Sequence, residues 1–164
     1  AQRCVGVDIQ QDGIRYLRET LGYPDVVCAD ITQPLTAPLN ETHWDLLLIP
    51  EVVEHIDDPV SFLSGVHTQF AARADAVVLT VPNAFARDNF RAAQRGIEAI
   101  NTDHRYWFTP YTLAKVAMQA GFSVNEFRLC RHGTVKRRSF IRNRWYARNP
   151  LLRSDIVMTL AFGA

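Results

Sequence analysis

Two carboxylates and an imidazole stand within five residues in Glu51-Val52-Val53-Glu54-His55. Groups of these types, so close in sequence, can converge on one oxygen-loving divalent cation or on one acceptor hydroxyl. The plainer possibility is that Glu54 only caps or pairs locally. Two further carboxylates, Asp8 and Asp30, each close a short apolar run. At the carboxyl end of a strand, where doubly wound folds bind ligands, a carboxylate can accept hydrogen bonds from both hydroxyls of a ribose. Either aspartate could instead be an ordinary turn or helix-cap residue.

The elements that must position these groups alternate between strand and helix. Residues 4–9 form an apolar run. Residues 12–21 carry Ile14, Leu17 and Leu21 at helical spacing, with Asp12 as the expected cap and Gly22-Tyr23-Pro24 as the stop. Residues 25–30 and 44–49 read as the next strands, the latter apolar enough to be buried on both faces. Asp57-Asp58-Pro59 opens a helix with Val60, Leu63, Val66 and Phe70 as its stripe, and 76–81 is a strand stopped by Pro82-Asn83. The spacing predicts an inserted helix over 88–100, with Phe90, Ala93, Ile97 and Ile100 inward. Thr109-Pro110 caps a helix bearing Leu113, Val116 and Ala120 and closed by Gly121, and strands follow over 123–129 and 156–160. Buried strands alternating with helices predict a Rossmann-like, doubly wound, mostly parallel α/β fold in a single domain over 1–164.

Composition excludes several classes. The 164 residues are 48% hydrophobic and carry a net charge of +1, which excludes a disordered chain. No apolar run reaches the roughly 20 residues of a membrane helix, and no signal peptide is visible. Three widely spaced cysteines (Cys4, Cys28, Cys130) make neither a disulfide framework nor a CxxC metal pair, so a reduced, cytoplasmic setting is expected. The charge is unevenly spread. Residues 127–154 hold nine cations and no Asp or Glu, leaving nine cations against 17 anions elsewhere. Such a segment suits an anionic partner (a phosphate-bearing acceptor, nucleic acid or a membrane surface) or is simply a solvated face.

Two strands ending in acidic residues, then Pro50-Glu51-Val52-Val53-Glu54-His55, Val81-Pro82-Asn83 and His104-Arg105-Tyr106-Trp107-Phe108-Thr109-Pro110, form an ordered set. In that order and spacing the chain resembles the class I S-adenosylmethionine-dependent methyltransferases. Its look is closest to the branch of ubiquinone-biosynthesis, small-RNA and glycan or lipid O-methyltransferases. The resemblance implies S-adenosylmethionine as cofactor, with Asp8 and Ile9 at its ribose, Asp30 and Ile31 at its adenine, and Pro50 and Glu51 beside the transferred methyl. It implies that Glu51, Glu54, His55 and His104 can hold a divalent cation such as Mg2+, and that His55, Glu54 and His104 carry the chemistry. A cation there would lower the pKa of an acceptor hydroxyl, and His55 or His104 could remove its proton. Residues 84–108, with Phe85, Phe90, Tyr106, Trp107 and Phe108, would wall the acceptor site or else belong to the core. His43, His67 and His132 have no such context and are expected to be structural or exposed.

The family's first strand and glycine-rich loop are expected ahead of Ala1, in an upstream segment or a partner chain. That strand would lie between 4–8 and 44–49 in the sheet. The implied reaction is O-methylation of a hydroxyl on a sugar, lipid-linked glycan or small metabolite. The alternatives are methylation of RNA, for which no recognisable RNA-binding module is seen, and a non-catalytic scaffold of the same fold, which the lack of a glycine-rich loop motivates. A dehydrogenase fits poorly, because a Glu-His motif has no role in hydride transfer.

Overall fold

The apolar runs become strands, the first three shorter than their sequence patterns and the last two longer. The computed structural model describes residues 3–131 and 140–163, with backbone only for 140–143. In chain order the elements are β1 (Gly6–Asp8), α1 (Gln11–Glu19), β2 (Val26–Cys28), β3 (Leu47–Pro50) and a 3-10 turn (Val53–His55). There follow α2 (Pro59–Phe70), β4 (Val77–Pro82), α3 (Arg87–Ala93), α4 (Pro110–Gln119) and β5 (Phe122–Cys130). The chain closes with α5 (Phe140–Arg148), a second 3-10 turn (Pro150–Leu152) and β6 (Asp155–Phe162).

The strands form two sheets, one of β1 and β2 and one in the order β3-β4-β6-β5. The β1–β2 and β3–β4 pairs are parallel, whereas β6 runs antiparallel to both β4 and β5. The fold is thus α/β as expected, but mixed in strand direction. Among the described residues no ladder joins the two sheets.

The core sits on the larger sheet. Val77, Leu79 and Val81 of β4 alternate inward, as do Ile156, Met158 and Leu160 of β6, and all six are fully buried. They pack with Leu63, Val66 and Phe70 of α2 and Leu113 and Ala117 of α4. Both helices start where the sequence predicts. Asp58 caps α2 by accepting from the Ser61 amide at 3.0 Å, and Thr109 forms a reciprocal capping box with Thr112. Gly121, at φ +97°, follows the end of α4.

Four expectations are corrected. β3 is not buried on both faces: Ile49 is in the core, but Leu46 and Leu48 lie on the opposite face and Leu48 is 64% exposed. One edge of β3 pairs with β4 and one face packs, so alternate residues stay in solvent. The helix expected over 88–100 stops at Ala93, a turn with Gly96 at φ +72° follows, and Phe90, Ala93, Ile97 and Ile100 are exposed rather than inward. Asp12 does not cap α1. Gln10 holds that position, while Asp12 sits in the first turn and pairs with Arg15 at 2.8 Å. Finally, α5 forms where no helix was expected, because its arginine-rich sequence carries no clear apolar stripe.

Candidate active site

The site begins where β3 ends. Glu51 takes a left-handed backbone conformation (φ 53°), which is uncommon for a residue with a side chain and turns the chain sharply out of the strand. Its amide donates to the Thr80 carbonyl at 2.9 Å, and its carboxylate accepts from the Thr80 hydroxyl at 2.7 Å. Glu51 is therefore fastened to β4. Pro50, just before it, is exposed.

The turn places Glu54 inward. Glu54 is only 1% exposed, and neither of its carboxylate oxygens has a hydrogen-bond partner. A buried acceptor without a donor costs about 1–3 kcal/mol, and more when charged. Burial pushes this carboxyl above its ordinary value. Glu51 adds to the effect, while His55 and Glu54's own nearby amide, which does not complete a hydrogen bond, oppose it.

His55 and His104 meet Glu54 from two separate segments. The His55 Nε2 lies 4.0 Å from Glu54 Oε1, and the two imidazoles meet edge to face with centroids 4.6 Å apart. One ligand atom from each of Glu54, His55 and His104 lies within 4.8 Å of the others. Glu51 stands outside this group, although its charge acts on both Glu54 and His104. The His55 Nδ1 donates to the Asp103 carbonyl at 3.1 Å, leaving Nε2 as the free basic nitrogen. Burial, and then His55 beside it, push His104 below its ordinary value, so it is neutral at pH 7.

A strap brings His104 to this place. The Glu54 carbonyl accepts from the amides of Arg105 (2.7 Å) and Tyr106 (3.3 Å). Arg105 pairs with Asp57 at 2.7 Å, and the Tyr106 hydroxyl donates to the Asp57 carbonyl at 2.8 Å. Sequence reasoning had no signal for Asp57 or Thr80 as partners of the site, because both contacts cross between distant segments.

Asp8 and Asp30 end β1 and lie just past β2, both exposed. Asp8 Oδ1 accepts from the Gln10 amide at 2.7 Å. Asp30 Oδ1 accepts from the Thr32 amide (2.9 Å) and hydroxyl (2.7 Å), bonds that hold its carboxyl below the usual value. Each aspartate therefore has one oxygen engaged in a local turn, and the other makes no hydrogen bond among the described residues. Ile9 is exposed and Ile31 packs against the core.

The 84–108 aromatics divide. Phe108 is core, bridged to Asn83 beside β4, whereas Phe90, Tyr106 and Trp107 are exposed. His43 pairs with Asp75 at 2.8 Å, and His67 packs on Phe122 and Phe162. His132, Lys136, Arg137 and Arg138 lie outside the described residues.

Residues 1–72 match the family model of a methyltransferase domain, a stretch that holds Asp8, Asp30 and the Glu51–His55 turn but ends before His104. Solved structures extend the likeness to almost the whole chain. The small RNA methyltransferase HEN1 is similar at a TM-score of 0.63 and 18% identity over 96% of this chain, which spans 20% of that one. This is the class I methyltransferase fold. An S-adenosylmethionine-dependent methyltransferase from Archaeoglobus fulgidus shares it at a TM-score of 0.58 and 19% identity, over 96% of this chain and 75% of that one. So does magnesium protoporphyrin IX methyltransferase from Synechocystis PCC 6803, solved with S-adenosylhomocysteine bound, at 0.57 and 14% identity, over 97% of this chain and 64% of that one. No curated protein matches the chain. No helix of the described residues is long and apolar enough to cross a membrane.

Proposed function

We propose that this chain carries the catalytic residues of an S-adenosylmethionine-dependent methyltransferase. Its acceptor is a hydroxyl on a sugar, lipid-linked glycan or small metabolite. The observation that supports this most is the buried, unpartnered Glu54 carboxylate, beside two imidazoles at the end of β3 in a methyltransferase fold. When bound, the cofactor supplies an electrophilic methyl group on a sulfonium. Asp30, held ionised by Thr32, is an acceptor for an exocyclic amine, with Ile31 beside the ring. Asp8 keeps one oxygen for the ribose hydroxyls, next to Ile9, and Pro50 and Glu51 border the reacting methyl.

His55 is the proton acceptor in this reading, because its Nδ1 is committed to the Asp103 carbonyl and its Nε2 is free. His104, held neutral, packs against that ring. The donor set also fits a divalent cation: Glu54 brings two unsatisfied oxygens, and His55 and His104 each bring a ring nitrogen within reach. With a cation present, the His55 Nε2 would be its ligand instead of taking the proton: Glu54, His55 and His104 would hold the ion, which would acidify the acceptor hydroxyl. Orienting that hydroxyl toward the methyl donor is itself worth roughly 7–11 kcal/mol in favourable cases.

Titration calorimetry on the full-length gene product tests the reading. S-adenosylmethionine binds saturably, and Asp8→Ala and Asp30→Ala each weaken it about tenfold through loss of a charge-assisted hydrogen bond. No binding at millimolar cofactor would overturn the enzyme reading in favour of a scaffold.

A further inference from the structure

Gly65 lies in the middle of α2, where glycine weakens a helix relative to alanine because it has more backbone freedom to lose on folding. What faces it explains its place. A side-chain carbon on Gly65 would come within 2.8 Å of the Thr32 Cβ and 3.2 Å of both its Cα and its Cγ2. Non-bonded carbons settle at about 3.5–4.0 Å, so only a glycine lets Thr32 rest directly on the helix.

Thr32 in turn holds Asp30. Its amide donates to Asp30 Oδ1 at 2.9 Å, and its hydroxyl donates to the same oxygen at 2.7 Å. The Gln33 amide donates to the Asp30 carbonyl at 3.1 Å and closes the turn. Asp30 is exposed, whereas Ile31 and Thr32 are half-buried and Ile31 packs on the core. The turn is thus seated against the helix on one side and presents the second carboxylate oxygen, Oδ2, on the other.

This contact joins two parts of the site that no ladder joins among the described residues. Asp30 follows β2 of the small sheet, while α2 packs on the larger one. α2 starts just beyond the Val53–His55 turn, so one helix borders both the Glu54 centre and the Asp30 turn.

We propose that Thr32 and Gly65 are positioning residues that set how the site reads the base of its cofactor. Gly65 seats Thr32 on α2, and Thr32 turns Asp30 so that Oδ2 meets an exocyclic amine. The assignment rests on the methyltransferase reading, in which Asp30 faces the adenine. A carboxylate fixed in this way accepts from an amine and repels a carbonyl oxygen at the same place, so adenine is preferred over hypoxanthine. A carboxylate free to rotate turns away from the carbonyl and discriminates less.

Titration calorimetry on the full-length protein compares S-adenosylhomocysteine with S-inosylhomocysteine, which carries a carbonyl in place of the amine. The wild type prefers the first by about tenfold or more, as befits a charge-assisted hydrogen bond. Thr32→Val keeps the shape and the amide donor but loses the hydroxyl, and lowers that ratio about threefold. Thr32→Ser keeps the hydroxyl and the wild-type ratio, and Gly65→Ala, which displaces Thr32, lowers the ratio at least as far as Thr32→Val. The ratio separates positioning from general loosening, which weakens both ligands alike. If Gly65→Ala does not fold, Thr32→Val against Thr32→Ser decides. Equal weakening of both ligands by Thr32→Val, or no change in either, overturns the positioning role while leaving the methyltransferase reading intact. A wild type that binds both ligands equally overturns the placing of adenine at Asp30, and the role with it. Failure of the wild type to bind S-adenosylhomocysteine at millimolar concentration sinks the methyltransferase reading itself, on which the role depends.

Discussion

Glu54 is the most exposed to test of the single residues, because burial penalises its ionised form. Its carboxyl lies above the ordinary 4.5 when folded and returns to that value when unfolded. Between the two values the folded chain binds more protons, so stability falls as pH rises through that window and stays lower above it. Glu54→Gln removes the ionisable group. In the absence of divalent cations, the variant is expected to gain about 1–3 kcal/mol at pH 7. At roughly 2–4 °C per kcal/mol for a chain of this size, its Tm rises by several degrees. The gain disappears near pH 4. Thermal melts across pH check this, and a variant no more stable than wild type at pH 7 would mean that the carboxylate has found a partner. His104 works in the opposite sense: its folded value lies below 6.5, so the stability it contributes is present above that pH and lost as pH falls below it. Neither shift is legible in Glu51-x-x-Glu54-His55 itself. The motif names the groups, and burial decides their charge.

Asn83 and Thr109 bound the element that delivers His104, and they are expected to differ in cost. Thr109 makes the capping box of α4, a local device readable from Thr109-Pro110. Thr109→Ala should cost about 1 kcal/mol. Asn83 is buried, and its side chain also accepts from the Phe85 amide at 3.0 Å while donating to Leu151 and Arg153. Asn83→Ala leaves two carbonyls and an amide unpaired and should cost at least twice as much as the Thr109 change, since each buried unpaired group costs about 1–3 kcal/mol. Urea unfolding of the two variants, with equal slopes, gives the comparison directly; an Asn83→Ala cost no larger than that of Thr109→Ala would contradict the pinning role. The helix over 88–100 illustrates the limit of periodicity. Phe90, Ile97 and Ile100 keep helical spacing, yet they stay exposed, Phe90 stacking only on Phe85, and the helix ends after two turns. α5 shows the converse: without an apolar stripe in its sequence, it is held through Trp145 and Tyr146 by ring and guanidinium contacts that only the assembled chain provides.

Across the whole molecule, stability is unevenly distributed between the two sheets. β4 and β6 are paired on both edges and fully buried along one face, whereas β1 and β2 form a two-stranded pair with Val26 as their one buried residue. An isolated two-stranded pair is marginal on its own. The small sheet is joined to the larger core through Ile31 and Leu35, and through Thr32 against Gly65 of α2, where a side chain would come within 2.8 Å of the Thr32 Cβ. Amides of β1 and β2 in this chain are therefore expected to exchange with deuterium orders of magnitude faster than those of β4 and β6. Equal protection would show that the two sheets open as one unit. By itself the amino-acid sequence determined the alternation of strand and helix, the caps at Asp58 and Thr109, and the acidic residues at strand ends, because these depend on contacts within a few residues. Only the tertiary structure decided that the sheet is split and mixed, that Glu54 is buried without a partner, and that Arg87 meets Trp145. His55 and His104 meet for the same kind of reason: their contact closes a long loop, and its cost is met by packing and by the strap to Asp57, which no local pattern encodes.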